Sequence, residues 1–161
     1  MNETSQFASA LAEAGIIHVD ACVLGLHLTG DPRYLPLTRT LLQGLSGSAF
    51  EARTSSLSLY QLLVEPYRRG QEDTAETIES CLVALPGLVI VPVTPAIARQ
   101  AAQVRAQIGG SQARAVQIAT ALAGDAEVFV TQRSALRRIA GMGVEQLDAY
   151  AATSEAQTLD A

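Results

Sequence analysis

One carboxylate and two arginines mark the places where this sequence could do chemistry. Asp20 directly follows the apolar run GIIHV, and Thr131, Gln132 and Arg133 close a second apolar run, EVFV. Arg114 stands within one turn of the start of an apolar helical segment, ARAVQIATAL. In α/β proteins the ligand crevice lies beyond the carboxyl ends of the strands, so we expect these side chains to share a pocket. A carboxylate and a guanidinium that meet there would form a short, charge-assisted pair.

The elements that must position these residues follow from the hydrophobic pattern. Short apolar runs predict strands over residues 15–20, 88–93 and 127–131, and residues 49–56 and 144–148 are predicted as two further strands. Stretches with helical spacing lie between them and predict helices over residues 21–30, 34–47, 57–70, 72–85, 94–109, 111–124 and 134–141. Strands separated by helices indicate a parallel sheet that is covered on both faces. The predicted fold is therefore a three-layer α/β/α sandwich with a mainly parallel sheet of about five strands.

The chain is predicted to form one main domain. Residues 15–148 make up this domain, residues 1–14 form an extra N-terminal helix, and residues 149–161 form a polar tail. A length of 161 residues with 48% apolar residues is enough to bury a substantial core. The net charge of −5 means that the chain as a whole does not attract phosphate backbones.

The cysteines and the apolar runs indicate in which cellular compartment the protein is expected. Cys22 and Cys81 form no CxxC pair and lie in apolar segments, so we expect buried, reduced thiols. The most apolar run, ALPGLVIVPV, contains two prolines and is too short to span a bilayer. A cytoplasmic protein without a membrane partner is the expectation.

Four stretches of the chain resemble the PIN domain, the metal-dependent ribonuclease fold of VapC-type toxins: IIHVDACVLGLHL, TSSLSLYQLLVEPYRRG, ARAVQIATALAGDAEVFVTQRSALRRI and GVEQLD. The resemblance covers roughly residues 15–148, and its third stretch is the most specific. It implies that Mg²⁺ or Mn²⁺ is held by three or four carboxylates at the carboxyl edge of the sheet, where RNA phosphodiesters are cleaved. It also implies a homodimer and an antitoxin-like protein partner.

Most of the acids that the resemblance calls for are replaced in this sequence. Asp20 is retained, but the glutamate of the middle helix falls on Gln61. The acid that begins the next matched helix falls on Arg114, and the Asn-Asp that follows the matched Thr131 becomes Gln132 and Arg133. A pocket that should be strongly negative would therefore carry a net positive charge.

The size of this charge change bears on metal binding. An arginine about 5 Å from a divalent cation repels it by roughly 6 kcal/mol at an effective dielectric constant of about 20. We therefore predict that no metal cofactor binds, and that Arg114, together with Arg133, occupies the metal's space and pairs with Asp20. The predicted function is a PIN-like binding or structural module, with anion or nucleic-acid binding as one form of it, that has lost its nuclease chemistry.

Other interpretations of the same residues stay open. An active Mg²⁺- or Mn²⁺-dependent ribonuclease would need a nonstandard acid such as Glu65, which follows Gln61 by one helical turn and could equally be an arginine-paired surface residue. Asp20 could serve only as a helix N-cap, and both arginines could point into solvent. No other metal-ligating residue lies at a suitable spacing from His18 or His27, so both are expected to be packing or surface residues. A different doubly wound α/β domain would imply no function at all.

Overall fold

The computed structural model describes residues 2–156 and builds them around one six-stranded sheet. The strands are β1 (Ile16–Val19), β2 (Glu51–Ser55), β3 (Leu88–Val91), β4 (Val128–Thr131), β5 (Arg138–Ile139) and β6 (Met142–Gln146). Their order across the sheet is β3-β2-β1-β4-β6-β5, and only β5 runs antiparallel to its neighbour. The predicted α/β class and the mainly parallel sheet are therefore confirmed.

Helices cover both faces of the sheet. They are α1 (Glu3–Ala14), α2 (Ala21–Thr29), α3 (Leu35–Ser46), α4 (Ser56–Arg68), α5 (Glu72–Ala84), α6 (Pro95–Ile108), α7 (Gln112–Ala123) and α8 (Leu147–Ala156). Alternate residues of β1 divide the core, because successive strand side chains point to opposite faces. Ile17 and Val19 pack with α1, α2 and α3, whereas His18 stacks on Phe129, which belongs to the core formed with α6 and α7.

The N-terminal helix is part of the core and not a loose addition to it. Phe7 and Leu11 of α1 have no exposed surface, and both belong to the same hydrophobic cluster as Ile17 and Val19. The spacing of four residues places both side chains on one face of the helix, and this face is the one that packs on the domain.

The chain after β4 differs from the prediction in two ways. Residues 134–141 do not form a helix, because Ala140 and Gly141 adopt positive φ angles and turn the chain into a β5–β6 hairpin. Residues 149–156 do not form a tail, since they continue α8, in which Leu147 and Ala151 are buried. Asp148 therefore lies in the first turn of a helix and not at the end of a strand. Residues 157–161 of the predicted tail lie outside the described residues.

Two smaller expectations concern cysteines and membranes. Cys22 is partly buried, but Cys81 is exposed on α5, so the prediction of two buried thiols is wrong for Cys81. Across residues 2–156, no helix is both long enough and apolar enough to span a membrane.

Candidate functional site at the carboxyl edge of the sheet

Asp20 occupies the centre of the carboxyl edge and is almost fully buried, with 7% of its surface exposed. Its backbone N–H donates to Val130, which aligns the end of β1 with β4. Its side chain accepts hydrogen bonds from the hydroxyl of Thr131 at 2.9 Å and from the thiol of Cys22 at 3.4 Å. Although Asp20 is the N-cap residue of α2, its side chain makes no capping hydrogen bond. The carboxylate is thus committed to the strand edge, and helix capping alone does not account for it.

The thiol of Cys22 remains a hydrogen-bond donor at this edge. Burial raises its pKa, and the negative charge of Asp20 raises it further. Both effects disfavour a thiolate beside an existing carboxylate. Asp20 is therefore bound by two neutral donors, Thr131 and Cys22.

The predicted pairing of Asp20 with arginine is wrong. Arg133 donates from Nε to Oδ2 of Asp148 at 2.8 Å, and its own side chain is 78% exposed. Arg114 donates from Nη2 to the backbone carbonyl of Arg133 at 3.4 Å. Across the described chain, Asp20 forms no ion pair with either arginine. Arg133 has another acceptor because α8, which the sequence did not predict, places Asp148 within its reach.

Asp148 is the acid of a second polar cluster on this edge. The buried Tyr34 donates its hydroxyl to Oδ1 of Asp148 at 2.6 Å, and Gln132 donates an amide N–H to the same hydroxyl at 3.0 Å. Burial alone would raise the pKa of Asp148, but the hydrogen bonds from Tyr34 and Arg133 lower it below its usual value. Both carboxylate oxygens of Asp148 are therefore occupied by protein donors.

Gln61 belongs to a hydrogen-bond network that joins β1, β2, α4 and α7. At its centre the buried Gln117 accepts from or donates to three side chains: His18 at 2.7 Å, Ser58 at 2.8 Å and Gln61 at 3.1 Å. The hydroxyl groups of Ser58 and Thr54 are hydrogen-bonded to each other at 2.7 Å, and the Thr54 hydroxyl also donates to the backbone carbonyl of Val19. Because the Gln117 amide N–H groups serve Ser58 and Gln61, its oxygen must accept from Nε2 of His18.

This arrangement fixes the protonation state of His18. Burial lowers the pKa of His18 to about 4, although the Gln117 hydrogen bond and the charge of Asp20 act in the opposite direction. Nε2 then carries the single proton, and Nδ1 is buried and has no hydrogen-bond partner among the residues that the structure describes. The ring also stacks on Phe129, with centroids 5.4 Å apart. The expectation that His18 is a packing residue agrees with this position.

The sequence analysis did not place Gln117 in the site. The available signal was a polar residue at a position of α7 whose neighbours Ile118 and Ala119 are apolar, and a histidine inside an apolar strand. Buried polar groups need hydrogen-bond partners, so two such residues in neighbouring elements suggest that they meet.

The network should be sensitive to loss of the Gln117 amide. Gln117→Met keeps the size of the side chain but leaves Nε2 of His18 and the oxygen of Ser58 with fewer partners, and we expect about 2 kcal/mol less stability. Urea denaturation measures the change. Gln103→Met, at an exposed position of α6, is the matched control and should change stability by less than about 0.5 kcal/mol. Equal stabilities for the two variants would contradict the network.

Glu65 does not join Asp20. Its two oxygens accept from Arg68 at 2.6 Å and from Arg69 at 2.8 Å, and its side chain is 47% exposed. Among the residues that the structure describes, no group of three or more His, Cys, Asp or Glu side chains is placed to hold a metal ion. Mg²⁺ and Mn²⁺ need several oxygen ligands, so the donor set around Asp20 does not fit these ions.

Comparisons with known proteins identify the fold. No protein-family model and no curated protein matches this sequence. Among solved structures, the chain is similar to VapBC2 from Rickettsia felis bound to a DNA fragment from its promoter, with 13% identity and a TM-score of 0.62 over 81% of this chain and 98% of that chain. It is also similar to a toxin–antitoxin complex from Klebsiella pneumoniae, with 17% identity and a TM-score of 0.59 over 81% and 97% of the two chains. The fold is therefore PIN-like, of the VapC type.

Proposed function

We propose that this chain is a PIN-like binding module that does not carry out metal-dependent RNA cleavage. The observation that carries the proposal is the surroundings of Asp20, whose carboxylate is held by the hydroxyl of Thr131 and the thiol of Cys22. Metal-assisted phosphodiester hydrolysis needs an ion that activates water and neutralises developing charge. Among the described residues, no group of three or more acidic, histidine or cysteine side chains is placed to hold such an ion.

The positions of the missing acids support the same proposal. Gln61 is a neutral amide that accepts from Gln117, and Arg114 adds a positive charge to this edge. The alternative, an active ribonuclease that uses Glu65, would require this side chain to leave Arg68 and Arg69 and turn toward Asp20. Anion or RNA binding through Arg114 and a cytoplasmic location stay predictions.

Two kinds of protein contact belong to the proposal. Both similar structures are toxin–antitoxin assemblies, which supports an antitoxin-like partner for this chain. We propose in addition that the chain forms a homodimer. Because the net charge is −5, protein surfaces are more favourable partners than nucleic acid for the chain as a whole.

Calorimetric titration with Mn²⁺ and a cleavage assay on mixed-sequence single-stranded RNA test the loss of catalysis. We expect no saturable heat and no cleavage above the buffer control, because the described residues place no metal-binding group around Asp20. Asp20→Asn should behave like the unmodified chain in both assays. Asp73→Asn, on the exposed face of α5, is the control for a change of charge alone.

Two outcomes would contradict the proposal. The first is Mn²⁺-dependent cleavage that disappears in Asp20→Asn and persists in Asp73→Asn. The second concerns the protein partner. When the chain is purified at its native expression level, we expect another protein to co-purify with it in a stoichiometric amount. If the chain is recovered without any other protein, the proposal of an antitoxin-like partner is contradicted.

A further inference from the structure

A large apolar groove lies beside the candidate site, between α4 and the α6–α7 helix pair. Its volume is about 770 Å³, which is within the range of small-molecule binding sites. Ala98, Ala102 and Ala106 are exposed and follow one another at intervals of four residues, so they form a strip along one side of α6. Leu57 and Val116 extend the apolar lining to α4 and α7. A small molecule in this groove would therefore contact three helices.

The alanine strip, Ala98 to Ala106, has a shape that suits an extended hydrocarbon chain. It runs for about 12 Å along the axis of α6. Alanine methyl groups project little from a helix, so the strip forms a long and shallow floor. Tyr60 of α4 lines the same groove and is 66% exposed. A hydrocarbon chain along the floor would contact the methyl groups and the Tyr60 side chain, and this contact removes apolar surface from water on both partners.

The charge of the groove indicates the sign of the ligand's head group. Arg105 is the only charged residue that lines the groove. It forms no ion pair in the described part of the chain. Arg105 follows Ala102 by three residues, so it stands beside the C-terminal end of the alanine strip. A guanidinium group presents a planar fork of donors that matches a carboxylate in a bidentate pair.

Other donors of the groove favour the same sign. The side-chain oxygen of Gln61 accepts from Gln117 at 3.1 Å, and the N–H groups of the Gln61 amide have no acceptor among the described residues. Gln112 and Ala113, the first two residues of α7, line the groove as well. The start of a helix carries a partial positive charge, and a short loop places this start next to the end of α6. An anionic head group is therefore favoured over a cationic one.

We propose that this groove binds a medium-chain monocarboxylate, with its hydrocarbon chain along the alanine strip and its carboxylate paired with Arg105. The site is separate from the carboxyl edge of the sheet, since Asp20, Arg114 and Arg133 do not line the groove. It adds a small-molecule ligand to the protein contacts of the proposed function. A ligand that contacts Gln61 also contacts the outer member of the buried polar network.

Isothermal titration calorimetry of the full chain with decanoate, at two temperatures and below the concentration at which decanoate aggregates, tests the site. We expect one saturable site per chain. Arg105→Gln should weaken binding at least about tenfold, because it removes charge-assisted hydrogen bonds to the carboxylate. Ala102→Leu should weaken it at least as much, because the larger side chain fills the floor of the groove. Arg99→Gln removes the same charge from an exposed position of α6 outside the groove lining and should bind like the unmodified chain.

A second probe tests the head group. Decyltrimethylammonium has a hydrocarbon chain of the same length and the opposite charge, so Arg105 should repel it, and we expect binding at least about tenfold weaker than that of decanoate. Circular dichroism shows whether each variant has folded.

Three outcomes would overturn the inference. The first is the absence of saturable heat with decanoate at both temperatures, which includes the case of a groove covered by another protein or a second copy. The second is equal affinity of Arg105→Gln and the unmodified chain for decanoate. The third is equal affinity of the unmodified chain for the two probes. None of these outcomes depends on Mn²⁺ binding or RNA cleavage, so the proposed loss of catalysis is tested separately.

Discussion

The Phe7→Ala variant should lose about 3–5 kcal/mol of folding free energy, the typical effect of deleting a buried aromatic ring. Phe7 has no exposed surface, and its ring lies 5.1 Å from that of Tyr150, measured between centroids. The same cluster contains Leu11 and Ile17, so the ring joins α1 to β1 and α8. Removing it leaves a cavity that the surrounding helices can fill only in part.

Denaturation in urea, followed by circular dichroism, measures this loss. Val83→Ala deletes apolar atoms from an exposed side chain and should change the free energy of unfolding by less than about 0.5 kcal/mol. If α1 were an appended helix outside the core, Phe7→Ala would resemble this control. A loss below about 1 kcal/mol would therefore be evidence against the packing of α1.

Acid should destabilise the protein through His18 by about 3 kcal/mol between neutral pH and pH 4, because burial lowers its pKa from 6.5 to about 4. Above pH 6.5 the ring is neutral in both the folded and the unfolded state, so stability is at its full value. As the pH falls from 6.5 to 4, the unfolded chain takes up a proton that the folded protein does not, and stability falls. The loss is complete below pH 4, where the folded protein is protonated as well.

His18→Gln isolates this contribution, since the variant cannot titrate at residue 18. We expect the free energy of unfolding of the unmodified protein to fall more steeply from pH 6.5 to pH 4 than that of His18→Gln. His27→Gln is the matched control: burial and the nearby Arg39 lower the pKa of His27, but His27 is much less buried than His18. The free energy of unfolding of His27→Gln should therefore fall with pH almost as steeply as that of the unmodified protein. The prediction would be wrong if the free energy of unfolding fell equally steeply with pH for the unmodified protein and for His18→Gln.

Much of the fold could be read from the sequence because its determinants are local. Buried parallel strands tend to be continuously apolar, and each of the five predicted strands overlaps a strand of the observed sheet. The position of Asp20 followed directly, since a residue after β1 has to lie at the carboxyl edge. Thr131 follows from the same argument for β4, and these two side chains do meet.

The failures concern interactions whose partners come from distant parts of the chain. Residues 134–141 have helical spacing, yet the turn at Ala140 and Gly141 allows β5 to pair with β6. The last segment was predicted to be a polar tail, although α8 buries Leu147 and Ala151 against other helices. In both cases tertiary packing outweighs the weak preference of a short segment.

The sequence by itself determined the order of strands and helices from α1 to β4 and the place of the carboxyl edge. The tertiary structure decided which groups at this edge form hydrogen bonds or ion pairs with each other. His18 contacts Gln117, which lies 99 positions further along the chain, and Arg133 pairs with Asp148 and not with Asp20. Hydrophobic patterning is a property of neighbouring residues, whereas a hydrogen bond or an ion pair requires two atoms to lie about 3 Å apart, to within a few tenths of an ångström. Those distances exist only after all the elements have packed.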